Sequence, residues 1–169
     1  MSAPWTVRGG QIVRFEWFHG PAEALEAMGL RDYGDVGETE VAAASAIAAW
    51  NQLDLEAFML GWHPDAEWRP AFPEGTQGAG AVFRGHGGIR EAWHNARSAW
   101  SLYQVEPHEI RPVGESLLVL GRIHARGKAS SIEIDSAWSA VLEFRNGAVS
   151  SAWDWVDHQS ALRAVGLSE

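Results

Sequence analysis

No cysteine occurs in the 169 residues, which excludes disulfides, thiol nucleophiles and zinc-thiolate centres. Basic residues are scarce as well: 13 Lys and Arg stand against 22 Asp and Glu, a formal net charge of −9. Nucleic acids and anionic membrane surfaces each need a basic footprint, so neither is an expected partner. No apolar run approaches the roughly 20 residues of a membrane span, and residues 1–20 lack the apolar core of a secretory signal. These features read as a cytoplasmic protein. Also missing are a phosphate loop of the Walker type, a nucleophile elbow and a His/Glu helix with zinc-site spacing. The glycines at 78, 80, 85, 87 and 88 are too irregular for a dinucleotide fingerprint. Nothing here calls for a metal or an organic cofactor.

What is present is aromatic. Ten Trp stand beside two Tyr in a chain that is 46% hydrophobic and 21% charged, a globular composition. Trp combines a large apolar face with one N–H donor, so the excess implies an aromatic core or an aromatic-lined pocket.

The chain also resembles itself. At an offset of 137 residues, Arg8, Gly10, Ala24, Leu25, Ala27, Gly29 and Leu30 meet identical partners at Arg145, Gly147, Ala161, Leu162, Ala164, Gly166 and Leu167. Seven identities in 23 ungapped positions exceed the one or two expected by chance, roughly, for ordinary composition. Each copy reads as a Gly turn, an extended run and an Ala/Leu helix closed by Gly-Leu. Residues 1–30 are therefore expected to form a hairpin and helix like the chain's own closing unit. Residues 31–38 form a polar linker, and residues 39–169 the main domain. The N-terminal copy has aromatic residues to cover, so it is expected to add to a sheet edge or cover a subunit interface.

Within the main domain, Thr39 can cap an Ala-rich helix over residues 40–50, and Asp54 a short helix carrying Leu55, Phe58, Met59 and Trp62. His63-Pro64-Asp65 should break that helix before an extended stretch at 66–72. A third helix should follow Gly85-His86-Gly87-Gly88, bearing Ile89, Trp93 and Trp100. Strands are then expected at 105–111, 116–126, 132–144 and 149–156. Helices first and long antiparallel strands afterwards give an α+β class.

Three stretches carry a family likeness: His63-Pro64-Asp65-Ala66-Glu67-Trp68, Phe83-Arg84-Gly85-His86-Gly87-Gly88-Ile89-Arg90, and Phe144-Arg145-Asn146-Gly147 with residues 161–167. With the element order, they resemble the nuclear-transport-factor-2-like superfamily, in its SnoaL-like polyketide-cyclase and ketosteroid-isomerase-like branch. The resemblance implies a curved antiparallel sheet wrapped around N-terminal helices into a cone with an internal pocket. The N-terminal hairpin-helix is extra to that cone. It further implies a small hydrophobic ligand, a homodimer, and enzymes without metal or cofactor in which a pocket carboxylate or His moves a proton.

The closing strand offers the carboxylate. Alternation puts Val149, Ser151, Trp153 and Trp155 on one face and Ser150, Ala152, Asp154 and Val156 on the other. In the family's pattern the second set faces inward, which makes Asp154 the candidate proton-transfer residue. The bland reading is that Asp154 pairs with an Arg or caps a group nearby. Arg122 and His124 share one face of the strand 116–126; inward, either is a partner for Asp154, and outward they form a solvated strip. Trp50, Trp68, Phe72, Tyr103, Trp138 and Ala152 are the candidate pocket lining. His63 and His86 read either as rim acid/base groups or as turn chemistry. The functions left open are a cofactor-independent isomerase or cyclase, a non-catalytic binding or dimerisation domain, and an epoxide hydrolase using Asp154, Arg122 and Asp135.

Overall fold

The computed structural model describes residues 37–72 and 81–167 in full, and the backbone of residues 5–8 and 11–15. Strands β1 (Trp5–Arg8) and β2 (Gln11–Phe15) pair antiparallel as a two-stranded sheet of their own. The expected hairpin is thus present, and it adds no strand to the main sheet. The helix expected within residues 1–30 and nearly all of the linker lie outside the described residues.

Helix α1 (Glu38–Asn51) is long because five of its first eleven residues are Ala, and Glu38 and Glu40 sit at its positive end. Thr39 does not cap it. Gly37 holds the cap position, and the Thr39 hydroxyl donates to Glu40 Oε2 at 2.9 Å. Asp54 does cap helix α2 (Leu55–Leu60), accepting the Ala57 N–H at 3.0 Å. Strand β3 (Trp62–Arg69) starts before His63-Pro64 rather than after it, and Pro64 falls in a register irregularity between Trp62 and Glu67, where Pro is tolerated. Strand β4 (Phe83–Arg84) leads into helix α3 (Gly85–Ala99), and Trp100 is already the first residue of a strand.

The remaining strands are β5 (Trp100–Val113), β6 (Ser116–Gly127), β7 (Glu133–Arg145) and β8 (Ala148–Trp155). The sheet order is β4-β3-β8-β7-β6-β5, antiparallel except for the β3–β8 pair. This is the α+β architecture expected: a curved, unclosed six-stranded sheet with helices from the N-terminal side of the domain packed against it. Side-chain alternation decides what faces the helices. Leu117, Val119, Ile123 and Ala125 are buried in the main core, while Arg122 and Arg126 point outward. Asn51 ties α1 to the sheet by a two-way bond with Val105, at 2.8 and 2.9 Å. On the opposite face, helix α4 (His158–Ala164) covers a smaller patch where Leu118, Ser139 and Ala161 are buried. Ser139 donates its hydroxyl to the Asp157 carbonyl there.

Gly121 is fixed by the neighbouring strand. A Cβ at this position would lie 2.2 Å from the Glu106 carbonyl oxygen and 2.9 Å from Pro107 Cα. Both are backbone atoms beside an irregularity in the β5–β6 register, so neither can rotate away. Gly121→Ala is expected to cost on the order of 3 kcal/mol, an overpacking effect at its upper range. Thermal unfolding should show a fall of about 10 °C.

Candidate functional site

A cavity of about 70 Å³ lies between α1, α2 and the inner face of the sheet. Ala43, Ala46 and Ile47 bound it from α1, while β5 to β8 contribute Val105, Val119, Ala140, Leu142, Val149 and Ala152. Six aromatic residues complete the wall: Trp50, Phe58, Trp62, Trp68, Tyr103 and Trp138. Trp50 is their hub, with its ring centroid 5.0 Å from Trp93, 5.1 Å from Tyr103, 5.5 Å from Phe58 and 5.7 Å from Trp68. Three of those contacts are edge-to-face, the arrangement that aromatic quadrupoles favour. The indole N–H groups of Trp50 and Trp62 are buried and have no hydrogen-bond partner among the described residues.

Asp154 is the acid in this wall. β8 turns it inward two residues after Ala152, opposite Ala140 of β7, and it is only 8% exposed. β3 runs parallel to β8, with Trp68 aligned to Ala152, so the Trp68 indole reaches across to Asp154. Trp68 Nε1 donates to Asp154 Oδ2 at 3.0 Å. Burial pushes the Asp154 pKa up from 3.8 to about 7, and the Trp68 hydrogen bond offsets part of that rise. A carboxyl that titrates near neutrality suits a general acid or base. Among the described residues no ion pair involves Asp154, and its partner is the Trp68 indole.

The proposed lining meets the cavity at Trp50, Trp68, Tyr103, Trp138 and Ala152. Phe72 is a correction. It packs against Trp100 and Tyr103, at 5.6 and 6.2 Å, and takes no part in the wall. Arg122 and His124 are corrections too, because the alternation of β6 sends them to the outer face. Arg122 Nε donates to Asp135 Oδ1 at 3.0 Å, and His124 lies 3.5 Å from Glu106 and 3.6 Å from Asp135. This solvated strip removes any Asp–Arg–Asp water site, since Arg122 and Asp135 face away from Asp154. Val149 is the reverse case: a register irregularity at Phe144 turns it into the wall instead of outward.

His63 and His86 serve the backbone. His63 Nδ1 accepts the Asp65 N–H at 3.2 Å, and His86 Nε2 donates to the Trp62 carbonyl at 2.9 Å. Arg97 went unnoticed in the sequence, although it follows Trp93 by four residues on one helix. Its guanidinium lies 4.3 Å over Trp50 and 4.6 Å over Trp93, and it donates to the Trp50 carbonyl at 2.7 Å. Burial pushes its pKa down to about 10, so it stays charged. No cluster able to hold a metal ion occurs among the described residues.

The Asp154 environment has a measurable signature. The folded chain keeps this proton to a pH near 7, whereas the unfolded chain releases it near 3.8. Its stabilising contribution is complete below the lower value and is lost as pH rises towards the upper. Asp154→Asn, which cannot ionise, should therefore gain about 2–3 kcal/mol on the parent chain between pH 5 and pH 8 in denaturant titrations. Trp68→Phe removes the one donor that lowers this pKa. The carboxyl resonance of Asp154 should then titrate at higher pH than in the parent.

Comparison with known proteins places this geometry. A family model described as a SnoaL-like domain matches residues 43–152, more than half of the chain. Among curated proteins none matches the sequence. An NTF2-like protein of unknown function from Burkholderia pseudomallei is 18% identical, with a TM-score of 0.63, covering 78% of this chain and 99% of its own. TerC, co-crystallised with polyporic acid, is 22% identical with a TM-score of 0.63, covering 76% of this chain and 98% of its own. A Catenulispora acidiphila protein of ketosteroid-isomerase-like fold, in complex with trimethylamine, is 16% identical with a TM-score of 0.60. That match covers 75% of this chain and 92% of the other. The chain belongs to the SnoaL-like domain family, within the NTF2-like superfamily.

Proposed function

We propose that the protein binds a compact, largely apolar small molecule and handles a proton on it with Asp154. A cofactor-independent isomerase or cyclase would do the same on a hydrophobic carbonyl compound. The observation that carries this reading is a buried carboxyl of pKa about 7 in a wall otherwise built from apolar and aromatic side chains. Aromatic rings exclude water, the Trp68 N–H fixes the carboxyl, and a group that titrates near neutrality can take and return a proton. The cavity volume favours compact ligands. At about 70 Å³ it lies well below the roughly 300 Å³ at which drug-sized sites begin. A polycyclic substrate therefore requires the wall to open.

A second reading, binding without turnover, has its own support. Arg122 and His124 face away, so neither supplies the charge-stabilising partner an enolate needs. The homodimer and cytoplasmic location stay proposals, drawn from the family likeness and composition. Among the described residues no helix is long and apolar enough to cross a membrane.

Proton transfer is directly observable. In deuterium oxide, compact enolisable ketones such as cyclopentanone should lose their α-proton signals faster with the protein than without it. Asp154→Asn should reduce that rate by at least about 100-fold, the usual share of one general base. Full exchange activity in the variant would refute the catalytic form; binding without exchange would support the second reading.

A further inference from the structure

We infer that the ligand of this cavity is a compact alkylammonium ion, surrounded by the aromatic wall with Asp154 as its counter-charge. This rests on the proposal that the cavity is a small-molecule site, and it deepens the binding form of that proposal. The inference begins with charge. Among the described lining residues there is no Lys, Arg or His, and the titratable ones are Asp154 and Tyr103 alone. An anionic ligand would meet a carboxylate and no cation. A neutral ligand would meet Asp154 protonated, the form that burial favours, and would gain no charge attraction. A cation would give the ionised carboxylate a partner of opposite charge.

The wall supplies a second attraction. Ring faces carry negative electrostatic potential, and desolvated aromatic surroundings stabilise methylated ammonium ions by about 2 kcal/mol per good contact. Six of the sixteen lining residues are aromatic, which makes the wall a cage rather than a slot with one ring. This protein already uses the same interaction nearby, where the Arg97 guanidinium lies 4.3 Å over Trp50. Arg97 takes one face of that indole and repels a further cation there. The principal contacts therefore fall to the other rings and to Asp154.

Size and hydrogen bonding narrow the class. A volume of about 70 Å³ is small for a binding site. That favours a trimethylammonium-sized ion of four heavy atoms over an extended chain. Trp68 uses one hydrogen-bonding site on Oδ2, and an ionised carboxylate offers about four in all. A protonated tertiary amine has one N–H to donate, which makes a charge-assisted bond to the carboxylate. No covalent step is involved.

Proton NMR titration of the full chain with trimethylammonium chloride tests this, with tert-butanol and tetrahydrofuran as neutral counterparts of similar bulk that have no enolisable carbonyl. At pH 8 the N-methyl resonance should move upfield through ring currents and saturate. At pH 5.5, where Asp154 is largely protonated, affinity should fall at least tenfold, about the change in ionised fraction. Asp154→Asn should abolish binding while the variant keeps the parent's circular dichroism, and the pH arm gives the same test in the unmodified chain. Tighter binding of either neutral compound, or trimethylammonium binding indifferent to pH and to Asp154→Asn, would overturn the charge assignment while leaving the small-molecule site standing. Binding of none of the three at millimolar concentration would overturn the site and the inference together.

Discussion

The protein keeps one carboxyl out of water with one hydrogen-bond donor among the described residues, the Trp68 indole at 3.0 Å from Asp154. Much of the architecture bears on that contact. β8 must turn Asp154 towards the helices, β3 must run parallel beside it, and the aromatic cluster must keep solvent out. Removing any of these gives back water, and the carboxyl returns to an ordinary acid. Its raised pKa is thus a property of packing, with burial as the largest cause, rather than of a charged neighbour.

Trp50 shows how the same packing is held from behind. Its backbone carbonyl and its indole both engage Arg97, while its ring leans on Trp68, Trp93 and Tyr103. The cavity wall is therefore braced by a cation outside it, and the neighbouring residue Asn51 fastens the same turn of helix to β5. Such bracing fits a site of fixed shape, in which the protein selects by size before it selects by chemistry.

Much of this was legible in the residues. Alternation put Ala152 and Asp154 on one face of the last strand, the family likeness turned that face inward, and Asp54 followed the ordinary rules of helix capping. The failures have physical causes. Alternation cannot say which of two faces is covered, and for β6 the hydrophobic face claimed the helices and left Arg122 and His124 to solvent. A bulge is invisible in composition, so Val149 was assigned to the wrong face. Phe72 looked like a pocket residue by type, but its position beyond the end of β3 sends it to Trp100. Arg97 carried a signal at helical spacing from Trp93, yet a lone Arg on a helix usually belongs to solvent. The likeness between the two ends of the chain remains a matter of sequence, since the side chains of the first copy lie outside the described residues.

The position of β8 between β3 and β7 also has a temporal consequence. Trp68 and Asp154 are 86 residues apart, and the strand that joins them is the last of the six-stranded sheet to be made. A chain emerging from the ribosome holds most of its tryptophans before the element that encloses them exists. Closing so long a loop is slow, and until it closes those rings have no wall to face. The domain therefore depends on its final strand for a complete core as much as for its acid. Loss of the residues that form it would leave an aromatic surface open to aggregation, in addition to removing the site.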